Sequence, residues 1–300
     1  MPKILMPIPS RDFDPTEVAV TWSVLRQRGH EIVFATPDGA PGAADSIMLC
    51  GEGLDFWSLL PLLRHVKFVG LFLRADRAAR DAYDRLTGSA EFNTPLAWQD
   101  IAVADYDGLV LAGGHRARGM RRYLESGILQ EKVAGFFDDD KPVAAICHGV
   151  LLAARSRSAR TGKSVLWGKV TTALTWKLER SATRLARFTR FWDPDYYRTY
   201  PDGSDHAEGY MSVESEVTRQ LAKPSDFKTV AASDPLYFRK ASGLFRDSDK
   251  DARPAFVIRD GNYVSARWPG DAHGFARCFD TVLREAGQAR KPKGLPVSGP

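Results

Sequence analysis

The chain opens on a short apolar run, Ile4, Leu5, Met6 and Ile8, and then changes to helical spacing over 15–28 through Val18, Val20, Trp22 and Leu25. Gly29 follows as a helix C-cap. A second apolar run, Ile32, Val33 and Phe34 within 31–36, is closed by the turn signal Pro37-Asp38-Gly39. Strand, helix, glycine, strand is the start of a parallel α/β unit.

Residues 50–104 interrupt that rhythm. Their pattern over 56–72 and 74–86 is helical, rich in aromatics and without a repeating strand, which predicts an insertion over one edge or mouth of a sheet. Its apolar residues are expected to pack rather than to meet a membrane. The sheet pattern resumes over 106–112 and ends in Gly113-Gly114-His115; an amphipathic helix is predicted over 120–137, and an apolar strand over 143–147. Residues 168–175 read as a further strand and 182–253 as a second insertion. Asp260-Gly261-Asn262, set between 255–259 and 263–267, is a hairpin signal, and 271–285 a last helix. The Pro/Lys/Gly-rich stretch 288–300 reads as a loose tail. Alternating strands and helices predict an α/β fold, a doubly wound, mostly parallel sheet flanked by helices, as one domain over 1–287 with two insertions. Ligands of such a sheet bind beyond the carboxyl ends of its strands.

Composition narrows the function classes. The 300 residues are 44% hydrophobic and 26% charged, as in an ordinary globular chain. No window approaches eighteen unbroken apolar residues, so no membrane span or membrane partner is expected. The start, Met1 to Pro9, holds one lysine and is broken by prolines, which reads as a strand and not a secretory signal, so a cytoplasmic location is expected. Cys50, Cys147 and Cys278 are odd in number and widely spaced, which suits neither a disulfide framework nor a metal site. The net charge of +5 is spread over several short clusters without a recognised binding motif, so nucleic acid is not expected as a partner.

The candidate chemistry sits in Lys141-Pro142-Val143-Ala144-Ala145-Ile146-Cys147-His148-Gly149, where an apolar strand runs into a cysteine and then into a small-residue helix start. That is the shape of a nucleophile elbow, with Ala145 and Gly149 as the small neighbours that the tight reversal needs. The helix N-terminus beyond the sulfur is expected to lower the thiol pKa. Cys147 is thus the candidate nucleophile; the competing reading is a small core residue. His115, directly after the Gly-Gly turn, is a candidate for the substrate pocket together with Gly113, or else a solvated loop histidine.

Three features together, Leu111-Ala112-Gly113-Gly114-His115, Ala145-Ile146-Cys147-His148-Gly149 and Glu17 twelve residues before Gly29, resemble the ThiJ/PfpI superfamily of class I glutamine-amidotransferase-like proteins, whose fold is flavodoxin-like. The resemblance covers roughly 1–50, 104–180 and 255–287. It implies Cys147 as nucleophile, Glu17 as the acid that hydrogen-bonds the sulfur and shuttles protons, and His148 as the histidine beside it. It also implies an oxyanion hole from the backbone N–H groups of Gly114 and His148, and a dimer. In the glyoxalase and chaperone branch an acidic residue orients the histidine, and Glu179 is the match; its other reading is a surface partner of Lys177 or Thr183. Glu17, for its part, also suits a first-turn helix acid. His206-Ala207-Glu208 imitates the His-x-Glu of true amidotransferases but lies in a polar, glycine-flanked stretch.

The chemistry implied is attack of the sulfur on a small carbonyl substrate, with no cofactor or metal required. A glutathione-independent, glyoxalase-like conversion of an α-oxoaldehyde to a hydroxy acid leads; amide or peptide hydrolysis through an acyl-thioester is the runner-up. A redox-sensing or holding-chaperone role is the reading from outside enzymology.

Overall fold

A computed structural model describes residues 1–289. The chain starts with β1 (Lys3–Pro7), β2 (Arg11–Phe13), α1 (Pro15–Gln27) and β3 (Glu31–Thr36). The next stretch adds β4 (Ala43–Ala44), α2 (Ser46–Cys50), α3 (Val69–Leu73), α4 (Arg77–Thr87), α5 (Ala90–Asn93) and β5 (Leu96–Ala97). Then come β6 (Gly108–Leu111), α6 (Ala117–Leu124), α7 (Gly127–Asp138), β7 (Val143–Ile146) and α8 (His148–Arg155). The remainder holds α9 (Trp176–Thr189), α10 (Val213–Gln220), α11 (Tyr237–Ala241), β8 (Val257–Asp260), β9 (Tyr263–Ala266) and α12 (Ala272–Ala289).

Seven strands form one sheet in the order β5-β3-β1-β6-β7-β9-β8, parallel throughout except for the β8–β9 hairpin. The fold is therefore a doubly wound, mostly parallel α/β sheet. Strands β6 and β7 are buried along their whole length, as a sheet covered on both faces requires. One apolar cluster joins α1 and α12 to the sheet through Val18, Trp22, Phe275 and Phe279. The other joins α6, α7, α8 and α10 through Met120, Val133, Val150 and Val217. The chain order reverses between β3-β1 and β6-β7, and that switch brings the ends of β1, β6 and β7 to one crevice.

Local signals explain the frame. Asp14 accepts from the Thr16 and Glu17 N–H groups to start α1, with Pro15 in its first turn, and Gly29 at φ 86° ends it. The predicted helix over 120–137 is two helices, because the Ser126 hydroxyl accepts from Leu129 N–H and starts α7 anew. The predicted strand over 168–175 makes no ladder. Its amides instead reach side chains, Val170 N–H to Asp260 Oδ2 (2.7 Å) and Thr172 N–H to Ser265 Oγ (3.0 Å), so the segment lies against the hairpin and pairs only by an isolated bridge from Thr171 to Phe227.

The stretch 50–104 does supply a strand, β5, which extends the sheet edge beside β3, while α4 packs on α1. Its segment 56–72 departs from the packing expectation: Leu62 is 92% and Phe72 73% exposed, with Phe56, Leu60 and Phe68 more than half exposed. Within 182–253, α10 packs on α8 and contributes Val213 and Val217 to the main core, joined by Leu221 just beyond its end, so this stretch is part of the helical layer. Helix α12 continues to Ala289, and the rest of the expected tail lies outside the described residues.

Backbones pack very closely where α8 crosses β6. A Cβ on Gly149 would stand 2.0 Å from the Leu111 carbonyl oxygen. Gly149→Ala is expected to destabilise the protein by roughly 3 kcal/mol or more, read as a lowered urea midpoint with an unchanged slope.

Candidate active site

Cys147 stands between β7 and α8 at φ 78°, ψ −116°, a backbone conformation that non-glycine residues rarely adopt. Its N–H donates to the Ala266 carbonyl of β9 (3.2 Å), which ties the turn to the neighbouring strand. The side chain is 5% exposed and faces the crevice. The loop after β6 passes so close that a Cβ on Gly113 would meet His148 N at 2.7 Å, Glu17 Oε2 at 3.0 Å and Cys147 Cβ at 3.1 Å. Only glycine fits there, and three elements converge on that gap.

Glu17, on the first turn of α1, is fully buried. Its Oε2 accepts the Gly113 N–H at 2.7 Å, while Oε1 is buried with no protein hydrogen-bond partner among the described residues. Burial, reinforced by the nearby Asp14 charge, pushes its pKa well above the usual carboxylate range. That shift favours the protonated form of the carboxyl beside the sulfur. Asp14, held by its helix-cap bonds, is pushed up to about 6 by burial.

The His148 ring also reaches the sulfur. Its Nδ1 is 3.6 Å from Cys147 Sγ and its Nε2 is 3.0 Å from Thr199 Oγ1. The Thr199 hydroxyl donates to the His115 carbonyl at 2.6 Å, so its oxygen is left to accept from Nε2–H. That assigns the proton to Nε2 and leaves the Nδ1 lone pair facing the thiol. Burial, with the charges of His115, Arg155 and Arg198 adding to it, lowers the His148 pKa to about 3, so the ring is neutral.

The thiol departs from expectation. The His148 N–H at the start of α8 does favour thiolate, but burial and the acids Glu17 and Asp14 outweigh it and raise the Cys147 pKa. A fully desolvated sulfur gains less from one backbone dipole than it loses in hydration. Burial thus disfavours charge on the thiol, on the histidine and on the carboxyl that meet here.

The Gly114 N–H has no protein acceptor among the described residues, and the His148 N–H is directed at the Cys147 sulfur. His115 lines the same pocket, 9% exposed, its ring packed against Tyr196 (4.8 Å) and Tyr197 (4.5 Å). Burial lowers its pKa, and its Nε2 stands 3.9 Å from Asp45, which also accepts the Tyr196 hydroxyl.

Glu179 is not the partner of His148. It is buried on α9, where Oε1 pairs with Arg198 Nε (3.2 Å) and Oε2 accepts the Val213 N–H (3.1 Å); burial still pushes it up to about 7. Thr199 holds the position expected for it. His206 is exposed and stacks on Tyr210 at 4.0 Å, and Glu208 pairs with Arg180 and Arg184, so neither joins Cys147. The sequence reading missed Thr199, Tyr196 and Tyr197 because nothing in Tyr196-Tyr197-Arg198-Thr199-Tyr200 signals that the stretch folds back over the elbow; its aromatic density was the available hint. Among the described residues no group of three or more His, Cys, Asp or Glu is placed to hold a metal ion.

With this geometry in view, the comparisons are decisive for the family. The sequence pattern described as ThiJ/PfpI family-like matches residues 8–206. The chain belongs to the ThiJ/PfpI family. A deglycase, TK1284, of Thermococcus kodakarensis is 27% identical over 128 residues, 40% of this chain and 71% of that protein. Among solved structures, glyoxalase III of Candida albicans superposes with a TM-score of 0.56 at 17% identity over 93% of this chain and 96% of its own. The Rapid Encystment Protein of Francisella tularensis gives a TM-score of 0.57 at 15% identity over 94% and 99%. At such identities these structures speak for the shared fold. Among the described residues no helix is long and apolar enough to cross a membrane.

Two outcomes follow from the site as built. Nitrogen NMR is expected to show His148 neutral with its proton on Nε2 from pH 5 to 8, since its pKa is lowered, and Thr199→Val is expected to disturb that tautomer and cost about 1–3 kcal/mol for the orphaned groups. Alkylation of Cys147 by iodoacetamide is expected to be slower at pH 7 than that of a free thiol and to keep rising above pH 9.

Proposed function

We propose that the protein is a cysteine-dependent enzyme that converts an α-oxoaldehyde to a 2-hydroxy acid without glutathione or a metal. The observation that carries this reading is one buried thiol with a neutral histidine nitrogen at 3.6 Å and, bonded to the neighbouring Gly113 N–H, a buried glutamate carboxyl whose pKa is raised. A thiol between a base and an acid suits addition to a carbonyl followed by proton transfer between adjacent carbons.

In this reading Sγ adds to the aldehyde carbon while Nδ1 of His148 takes the thiol proton. The N–H groups of Gly114 and His148 stabilise the developing oxyanion. The hemithioacetal then loses its C1 proton and gains one at C2, with Glu17 and His148 exchanging protons across the substrate, to give a thioester of the hydroxy acid. Water hydrolyses that thioester and restores the thiol. Burial disfavours charge on all three groups, so the charge that appears on addition is the one the site must stabilise. The kinship with a deglycase and the fold shared with a glyoxalase III are consistent with carbonyl chemistry at this cysteine.

A second reading rests on a separate observation. The exposed apolar residues over 56–72 suit a holding role toward unfolded clients, which would not need Cys147. A cytoplasmic location and a dimer accompany the enzymatic reading as parts of the proposal.

Methylglyoxal turnover to lactate without glutathione is the expected result for the wild type. Cys147→Ala is expected to abolish it. Glu17→Gln keeps an acceptor for the Gly113 N–H but loses the mobile proton, and is expected to lower kcat about 100-fold. Turnover that survives Cys147→Ala overturns the reading.

A further inference from the structure

The cavity at Cys147 has two unlike ends. Its volume is about 240 Å³, and the reacting end is formed by Asp14, Glu17, Gly114, His115 and Cys147. Beyond these the wall turns apolar, with Met48, Leu73, Leu174, Leu178, Ala182 and Leu185. Tyr197, Trp268 and Pro269 add ring surface.

Most polar groups in that outer part are occupied or sit at its edge, the exception being the buried Trp268 Nε1–H, which has no protein acceptor among the described residues. Glu179 is held by Arg198 and the Val213 N–H. Arg246 donates to the Leu73 carbonyl (3.0 Å), its guanidinium lies 5.7 Å from the centre of the Trp268 ring, and its charge acts on Asp14 at the reacting end. Ser181 and Ser242 complete the polar lining.

The apolar wall does not stop at the mouth. Leu185 is 37% and Leu244 73% exposed, and Phe188, one turn beyond Leu185 on α9, is 77% exposed. An isolated surface leucine means little. A lined cavity whose apolar side chains run out onto the surface is a track for an elongated ligand.

Size points the same way. A single water needs about 10–15 Å³ on the same measure, so the cavity takes on the order of ten or more water-sized groups. Methylglyoxal bound at Cys147 leaves most of the wall against water. A chain in contact with Leu174, Leu178 and Leu185 removes that surface from solvent on both sides, with a gain for each methylene.

Resting on the carbonyl chemistry proposed above, we infer that the substrate carries an apolar chain of several carbons beside its reactive carbonyl, so that the protein acts on long-chain 2-oxoaldehydes in preference to methylglyoxal. The reaction balances without a further reagent: R–CO–CHO and water give R–CH(OH)–COOH, with C1 oxidised and C2 reduced within one molecule. The reacting end is unchanged, and the apolar wall sets which carbonyl reaches it.

The test is a series of methylglyoxal, 2-oxohexanal and 2-oxooctanal with the full-length protein. The expected kcat/KM rises roughly threefold to fourfold per methylene until the cavity is full, and in Leu178→Asn and Leu185→Asp the ratio of the longest to the shortest substrate falls toward one. A wild-type ratio at or below one, or a ratio unmoved in both folded variants, overturns the inference. If no member of the series is turned over, the carbonyl reaction itself is wrong, and the cavity is judged by binding alone. 1-Octanol is then expected to protect Cys147 from iodoacetamide at a concentration at least tenfold below that of 1-propanol, and equal protection by the two alcohols overturns the inference.

Discussion

Cys147 occupies a backbone conformation that costs on the order of 1–3 kcal/mol for a side chain other than hydrogen, and much of the sheet is arranged around keeping it there. The carbonyl of Ala266 holds its N–H from β9, and Gly149 lets α8 settle onto the Leu111 carbonyl at the end of β6. Gly113 lets the β6 loop approach His148, Glu17 and Cys147 at once. Loosening any of these contacts lets the turn relax, and the sulfur would leave its position between acid and base.

Desolvation is the second condition, and it acts on all three side chains together. It raises Glu17 and Cys147 and lowers His148, so burial favours the neutral form of each. Three neutral groups can share the cavity without repulsion. Hydrogen bonds then decide where the protons lie: Gly113 N–H fixes one oxygen of Glu17, and the Thr199 hydroxyl, itself donating to His115, fixes the tautomer of His148. The base therefore faces the thiol because of a threonine more than fifty residues further along the chain.

The outer part of the site is built by the segments that the core leaves free. Helix α9, the 242–246 turn and the end of α3 wall the cavity with leucine and alanine, and α10 anchors this assembly by packing Val213 and Val217 against α8. The shared sheet positions the reacting end, while these segments give the cavity its depth and its apolar character. Function can change at the wall without change at the elbow.

The sequence by itself determined what depends on neighbours along the chain. Apolar runs and their spacing placed β1, α1, β3, β6, β7 and the β8–β9 hairpin, because burial on both faces of a parallel sheet leaves a short-range mark. Cys147 was legible for the same reason: a nucleophile elbow is a local turn that needs small residues at set offsets, here Ala145 and Gly149. Glu17 and His148 entered as site residues through the resemblance to the ThiJ/PfpI proteins, which the Gly113-Gly114-His115 turn and the Cys147 elbow carry. What only the tertiary structure decided depends on contacts between distant segments. Glu179 and Thr199 both lie in the stretch between the elbow and the hairpin, and no spacing rule distinguishes them; the fold pairs the first with Arg198 and brings the second to His148. The thiol's pKa was likewise set by tertiary packing, since burial among distant residues outweighed the helix start that the local sequence provides. The exposure of 56–72 was also not legible, because an apolar residue looks the same in sequence whether the fold covers it or not.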